Sequence, residues 1–383
     1  MLVALVVIAG CTAQTTTPPP SPSTPATPSA PASSQPSDEP TSSPAPTAPT
    51  AVGWEAASVP GSQNNSAATT IVPGGEGLIA IGFDGGFGTI LWTSADGEIW
   101  TDITPDGFEA VGISSVVEFN GGLIGVGRGN TIDVDTQLAA VYRSDDGVTW
   151  RQVQGGEEML GQMIDVVATD DGLYAVGGVP GADAAGIWRS TDGESWERTG
   201  GDFEAAFMWS IAEGGPGLVA VGWRRNPDPS AAVWTSPDGV EWTLSPDPEG
   251  FELTEGTDVI DLDGTLVMVG AALDGSGGRI WTSTDGATSD LVDLDMAGGF
   301  ARTLTRTPAG LLAVGGGPEM TGAAWISTDG RSWQSFGDLL PGAYFASAHV
   351  TDDGLLTAGA TQAGTLETGV EAHAMVWTAT LDD

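Results

Sequence analysis

Six aspartates recur along the chain in the phrase Ser-x-Asp-Gly, and their carboxylates are the groups best suited to chemistry. Carboxylates serve as general acids and bases or as ligands of hard cations. A carboxylate followed by glycine also accepts backbone N–H bonds across a tight turn, where the glycine takes the positive φ that a hairpin needs. Because the phrase recurs at six places along the chain, we predict that these residues shape turns and carry no catalysis. They are Asp96, Asp146, Asp192, Asp238, Asp285 and Asp329.

Three phrases share one period of roughly 45 residues, which is typical of propellers and solenoids. The second phrase is GLIAIG at Gly77 and its six later variants. The third is an aromatic residue shortly before each turn, at Trp92, Tyr142, Trp188, Trp234, Trp281, Trp325 and Trp377. Apolar and β-branched residues bounded by Gly, Asn and Asp indicate four short strands per repeat. We therefore predict an all-β, seven-bladed β-propeller with four-stranded antiparallel blades; six blades is the alternative.

The two ends of the folded part predict how the ring closes. The segment VGWEAAS, from Val52, looks like the end of one repeat, and the chain stops at VWTATLDD, where another repeat phrase should begin. We expect the strand around Trp54 to pair with the strand around Trp377, because this pairing completes one blade and leaves no open gap.

The repeated turn resembles the Asp box, or bacterial neuraminidase repeat, in a form one residue shorter than the family pattern. A tryptophan closes five of the six copies, and Ser289 stands in its place in the fifth; the five are Trp100, Trp150, Trp196, Trp242 and Trp333. The resemblance implies that the boxes lie on outer hairpins, on the face opposite any active site. It also implies a sialidase-like fold, and sialidases need three arginines, a tyrosine with a glutamate partner, and an aspartate acid.

The catalytic set of a sialidase is not recognisable in the sequence. We place only Arg302 on an innermost strand, and the first two of the three tyrosines, Tyr142 and Tyr174, occupy repeat positions that pack the blade. We therefore assign no catalytic residue and keep a sialidase-type glycoside hydrolase as the alternative function. With one cysteine, and with His349 and His373 isolated, no metal-binding cluster is visible, and we expect no cofactor.

The innermost strands carry one polar residue at a fixed register, which we call the collar of the central channel: Thr70, Ser115, Asp165, Ser210, Asp258, Thr303 and Ser347. We choose Asp165 and Asp258 as candidate ligand-face residues, together with neighbours in register: Trp209, Arg302 and His349. Trp223, Arg224 and Arg225 form a further aromatic and cationic cluster, which we place on a longer loop over 223–232. Such residues stack on a sugar or hold a carboxylate.

The first residues, MLVALVVIAGC, resemble the lipobox of bacterial lipoproteins, in which a diacylglycerol is attached to the cysteine. This resemblance implies a signal peptide over 1–10, with a truncated n-region, and lipid attachment at Cys11. Residues 12–50 are rich in Pro, Thr, Ser and Ala, so we expect 11–50 to be the lipidated cysteine and a disordered tether, and 51–383 to be the propeller. The protein would then be exported and held on the outer face of the cell membrane.

The charge of the chain limits its partners. The formal net charge is −40, from 51 acidic and 11 basic residues. Nucleic acids and anionic lipids need basic groups, so we expect no nucleic-acid partner and membrane contact through the lipid anchor only. We predict a monomeric, non-catalytic module that binds a protein, peptide or glycan at the cell surface. A second alternative is an assembly factor for a membrane complex, because seven-bladed propellers with similar repeats serve photosystem II assembly.

Overall fold

The computed structural model describes residues 50–382 except 62–64, 76, 86–87, 109–110, 130–136, 180–182, 200–202, 226–227, 247–249, 293–295, 297, 352–353 and 366–368. The lipobox, Cys11 and nearly all of the tether lie outside the described residues. The described chain forms an all-β ring of seven blades, each built around four antiparallel strands. The prediction of seven blades is confirmed, and the six-bladed alternative is wrong.

The first strand of the chain is β1 (Thr50–Ser58), which belongs to the last blade. Blade 1 consists of β2 (Ala67–Gly74), β3 (Gly77–Phe83), β4 (Thr89–Ser94) and β5 (Thr101–Asp102). Blade 2 consists of β6 (Gly112–Phe119), β7 (Gly122–Arg128), β8 (Leu138–Ser144) and β9 (Arg151–Leu160). Blade 3 consists of β10 (Gln162–Thr169), β11 (Gly172–Val179), β12 (Ala184–Ser190) and β13 (Glu197–Thr199).

Blades 4 to 6 repeat this order from the channel outward. Blade 4 consists of β14 (Ala206–Gly214), β15 (Gly217–Arg225), β16 (Pro229–Ser236) and β17 (Thr243–Leu244). Blade 5 consists of β18 (Thr254–Leu262), β19 (Thr265–Ala272), β20 (Gly278–Ser283) and β21 (Asp290–Leu291). Blade 6 consists of β22 (Phe300–Thr307), β23 (Gly310–Gly317), β24 (Thr321–Ser327) and β25 (Gln334–Ser335), and β26 (Leu340–Pro341) also pairs with β24.

Blade 7 closes the ring with strands from both ends of the chain. It consists of β27 (Ala343–Thr351), β28 (Gly354–Thr365), β29 (Gly369–Asp382) and, outermost, β1. Trp54 packs on Phe345, with 4.8 Å between ring centroids, and Phe345 packs on Trp377 at 5.3 Å. The predicted closure by the strands around Trp54 and Trp377 is therefore confirmed.

The hydrophobic core lies in layers between neighbouring blades. The second strand of each blade carries the GLIAIG-type phrase, and in blades 1 to 6 this phrase is buried on both faces because a blade packs on each side of it. The third-strand aromatics Trp92, Trp188, Trp234 and Trp281 are among the largest fully buried side chains. Among the described residues, no helix is long and apolar enough to cross a membrane.

Every innermost strand carries a β-bulge at the same position. In each strand the extra residue directly precedes the collar residue, as at Trp209 before Ser210 and Arg302 before Thr303. The complete set of extra residues is Thr69, Ser114, Ile164, Trp209, Thr257, Arg302 and Ala346. A bulge places two residues opposite one partner and so re-aims a side chain.

Two details of the sequence interpretation are wrong. Trp223, Arg224 and Arg225 do not lie on a loop: they end strand β15, in register with Ala231, Ser230 and Pro229 of β16. The pairing of this hairpin therefore extends to Arg225 opposite Pro229. Arg302 is also not alone among arginines on innermost strands, because Arg306 lies in β22.

Candidate binding site at the channel mouth

The six repeated aspartates form local hydrogen bonds at six separate hairpins. In the hairpin after β8, Asp146 Oδ1 accepts the backbone N–H groups of Val148 at 2.8 Å and Thr149 at 2.6 Å. Trp150 Nε1 donates to the carbonyl of Gly147, so the indole folds back over the turn. The N–H groups of Thr149 and Val148 hold the pKa of Asp146 down, to about 2. Because each hairpin joins a third to a fourth strand, all six lie on the face opposite the start of the innermost strands.

The collar aspartates bridge three blades each. Asp165 of blade 3 accepts hydrogen bonds from Ser115 Oγ of blade 2 at 2.8 Å and from the backbone N–H of Ile211 of blade 4 at 3.0 Å. Asp258 of blade 5 accepts from Ser210 Oγ of blade 4 at 2.6 Å and from Thr303 Oγ1 of blade 6 at 2.8 Å. The sequence-predicted collar therefore fastens blades to one another.

Burial has a second effect on these two carboxyl groups. It raises the pKa of Asp165 to about 6, and the charge of Asp258 adds to the rise. Burial also raises the pKa of Asp258. Their oxygens are already occupied by the hydrogen bonds between blades, so we assign them to the ring rather than to ligand binding. Half-buried His349 lies further along β27, past the collar, and burial lowers its pKa.

The channel mouth is the end of the channel at which the innermost strands begin. We define it by the seven residues that lie three positions before the collar: Ala67, Gly112, Gln162, Phe207, Glu255, Phe300 and Tyr344. All seven are half-buried. Large side chains line the mouth on blades 3 to 7, whereas blades 1 and 2 present alanine and glycine. The seven mouth residues are therefore unevenly distributed, with the aromatic and acidic ones on blades 4 to 7.

On blade 2, a side chain of the second strand, β7, occupies the mouth in place of the missing side chain of Gly112. A Cβ atom on Gly112 would lie 2.8 Å from Nε of Arg128, so this arginine occupies the space of the missing side chain. Burial lowers the pKa of Arg128. The sequence interpretation did not select Arg128, because it lies at the end of a repeat phrase.

The bulges bring Trp209 and Arg302 together across the mouth. The guanidinium of Arg302, on blade 6, lies 5.4 Å from the centroid of the Trp209 ring, on blade 4. On blade 5, between them, the equivalent residue is the small Thr257, which is buried. Trp209 Nε1 is buried and has no hydrogen bond of ordinary geometry among the described residues.

Glu255 and Tyr344 complete this cluster, and the sequence interpretation selected neither as a ligand residue. Burial raises the pKa of Glu255, while the charge of Arg302 and the nearby indole of Trp209 oppose the rise. Burial also raises the pKa of Tyr344, and the charge of Arg302 opposes that rise. Both could have been found by aligning the residues three positions before the collar.

The cluster at the end of β15 lies beside the mouth. Arg225 lies over the Trp223 ring, 5.6 Å from its centroid, and 4.0 Å from Asp183 of blade 3. Arg224 and Arg225 also line a cleft of about 430 Å³ with Phe203, Trp234 and Leu244. Within the ranges that the structure describes, no group of three or more His, Cys, Asp or Glu residues is arranged to hold a metal ion.

Solved structures of other proteins are similar to this chain in fold. No family model matches the chain, and no curated protein matches it. A structure of YCF48 bound to D1 peptide matches with a TM-score of 0.54 and 17% identity, over 84% of this chain and 94% of that one. The WD40 β-propeller domain of Doa1 matches with a TM-score of 0.50 and 14% identity, over 84% of this chain and 97% of that one.

A third solved structure is more distant. The sialidase of Trypanosoma rangeli, in complex with the inhibitor DANA, has a TM-score of 0.46 and 13% identity, over 84% of this chain and 60% of that one. At these identities the YCF48 and Doa1 likenesses show the β-propeller fold alone. The function of this chain must be argued from its own residues.

Proposed function

We propose that the protein is a non-catalytic binding module and that its channel mouth recognises a protein or peptide. The observation that carries this proposal is the placement of Arg302 over Trp209, with Glu255 in the same cluster. Tryptophan, tyrosine and arginine in half-buried, rigid positions are the residues that dominate protein-binding surfaces. Here these residues lie on the innermost strands, at the channel mouth.

Two further observations support the proposal. The six conspicuous aspartates are committed to their own hairpins, so they are not available as a catalytic group. One fold neighbour, YCF48, is described with a bound peptide, which illustrates that this fold can present a peptide site. An assembly factor for a membrane complex would use the same binding activity, and a glycan is the alternative ligand.

We also propose that the module is a lipoprotein anchored through Cys11 on the outer face of the cell membrane. The support is the apolar run that ends in Ala9-Gly10 before the single cysteine. A Cys11→Ser variant should move from the membrane fraction to the soluble or secreted fraction. If this variant remains in the membrane fraction, the anchor is not at Cys11.

A sialidase-type hydrolase is the second candidate, because Tyr344, Glu255 and Arg302 meet at the mouth and match three of the residue types it needs. Two features weigh against it. The pKa of Tyr344 is raised, which disfavours the nucleophilic phenolate. Arg306 lies past the collar, where it pairs with Asp261 and Asp263. A fluorogenic sialoside tests this candidate: turnover that Tyr344→Phe abolishes would establish it.

Site-specific photo-crosslinking of the full chain in cells tests the binding proposal. A photoreactive phenylalanine analogue replaces Phe300 at the mouth or Ile99 on the opposite face, where Ile99 is 74% exposed. We expect a discrete adduct from position 300 that Trp209→Ala reduces at least tenfold, and none of the same mass from position 99. The same adduct from both positions, or indifference to Trp209→Ala, would refute a site at the mouth.

A further inference from the structure

Phe207 lies between the Trp209 cluster at the mouth and the Trp223 cluster at the end of β15. Its ring lies 4.6 Å from that of Trp209, centroid to centroid. Phe207 is also directly opposite Trp223 in the β14–β15 register, so these side chains leave the sheet on the same face. Its position is fixed by blade 3, because a Cβ on Gly178 would lie 2.4 Å from the Phe207 ring.

The result is one continuous row that runs from the channel outward along blade 4. We call Trp209, Phe207 and Trp223 the aromatic row. An arginine lies on each end: Arg302 on Trp209 at the channel end and Arg225 on Trp223 at the outer end. All three rings are half-buried and Arg225 is exposed, so part of each ring is accessible to solvent.

We propose that this row binds an extended peptide with an apolar centre, laid across blade 4 with one end at the channel mouth. The inference rests on the proposed function and names the ligand class for the same site. The separations along the row are 5.4 Å, 4.6 Å and 5.6 Å, and the Cβ atoms of the directly opposite pair Phe207 and Trp223 are about 5 Å apart. The row is therefore at most about 20 Å long and matches no more than about six residues of a polyproline II chain. Rows of aromatic rings receive such chains in known peptide-binding domains.

The polar groups along the row match a peptide backbone. The guanidinium groups of Arg302 and Arg225 are donors, and they suit carbonyl or carboxylate acceptors. Glu255 adds an acceptor, or a donor when protonated, at the channel end. The ion pair of Arg225 with Asp183 is long and exposed, so a ligand acceptor can replace it at little cost.

A displayed library of random nine-residue peptides, selected on the immobilised full chain, tests this proposal. Individual peptides are then measured against Trp209→Ala, Trp223→Ala and Arg225→Gln, with Ile99→Ala as the control on the opposite face. The Arg225 side chain is exposed, so Arg225→Gln should fold normally and keeps the test valid if a tryptophan variant misfolds. Circular dichroism and melting temperature confirm that each variant is folded.

We expect enriched peptides with two or more apolar residues at the centre. Their affinity should fall at least tenfold in both tryptophan variants and at least threefold in Arg225→Gln, and should be unchanged in Ile99→Ala. Dependence on Trp209 without dependence on Trp223 would overturn the row and leave the proposed mouth site intact. Failure to enrich any peptide, or binding of soluble oligosaccharides that needs the same rings, would overturn the peptide class.

Discussion

The guanidinium of Arg302 lies over the indole ring of Trp209, 5.4 Å from its centroid, although the two residues stand on blades 6 and 4. The contact passes over blade 5, where the equivalent bulge position holds Thr257. The contact therefore couples two blades that are not adjacent in the ring. The interaction energy of the Trp209–Arg302 pair can be measured in the protein without a ligand.

A double-mutant cycle with Trp209→Ala and Arg302→Gln should show this coupling in the free energy of unfolding. A half-buried cation–π pair contributes about 1 kcal/mol. The losses of unfolding free energy in the two single variants should therefore add up to about that amount more than the loss in the double variant. Urea unfolding supplies the four free energies. Additivity within error would mean that the two side chains do not interact in solution.

The stability of the protein should depend on pH through Asp165. Its pKa is about 6 in the folded chain, compared with 3.8 for a free aspartate, so the folded state favours the protonated form. Its contribution to stability is then fully present below about pH 4 and is lost as the pH rises through about 6, by at most about 3 kcal/mol. Asp165→Asn should flatten the unfolding free energy between pH 4 and pH 7.

That substitution also has a cost that does not vary with pH. Asp165 offers two acceptor oxygens, whereas asparagine offers one carbonyl oxygen. The backbone N–H of either Ile211 or Val166 therefore loses its acceptor, which costs about 1–3 kcal/mol of stability. The test is therefore the difference in slope between the variant and the native protein. Equal slopes would show that Asp165 does not titrate in this range.

Asp146 should show the opposite dependence on pH. Its pKa is lowered to about 2 by the N–H groups of Val148 and Thr149, so its stabilising effect is present above about pH 4 and lost as the pH falls through 2. Asp146→Ala should destabilise the protein by about 1 kcal/mol at neutral pH, through lost hydrogen bonds. It should leave ligand affinity unchanged, because its hairpin lies on the opposite face. A loss of binding in this variant would assign the aspartates a role that the structure does not support.

Ring closure depends on Trp54, which packs on Phe345 and donates its indole N–H to the carbonyl of Asp338 at 3.2 Å. Trp54→Ala should cost about 2 kcal/mol, less than a fully buried tryptophan would. Deletion of 50–58 should leave the edge of β29 unpaired and promote self-association, which size-exclusion chromatography detects. A deletion variant that stays monomeric with an unchanged melting temperature would show that β1 does not close the ring.

The sequence predicted the fold well because its repeats mark the parts that every blade shares. Trp54 and Trp377 identified the closure since they belong to the repeat phrases. The residue type at the mouth varies among the blades, so no repeat phrase marks Phe207 or Glu255, although the collar register gives their position. The bulge that turns Trp209 and Arg302 towards each other changes the pairing register by one residue, which the residue pattern does not reveal. Trp223 and Arg225 suggested a loop because an Asn-Pro-Asp-Pro segment follows them.

Binding of one partner at the mouth, through the proposed Trp209 and Arg302 cluster, is tested most directly by titration calorimetry. The affinity of the crosslinked partner is measured for the full chain and its variants. We predict that Trp209→Ala and Arg302→Gln each weaken binding at least tenfold, or about 1.4 kcal/mol, while Ile99→Ala and Asp146→Ala change it less than twofold. Equal affinity in the mouth variants, or an equal loss in the Asp146 variant, would contradict the account.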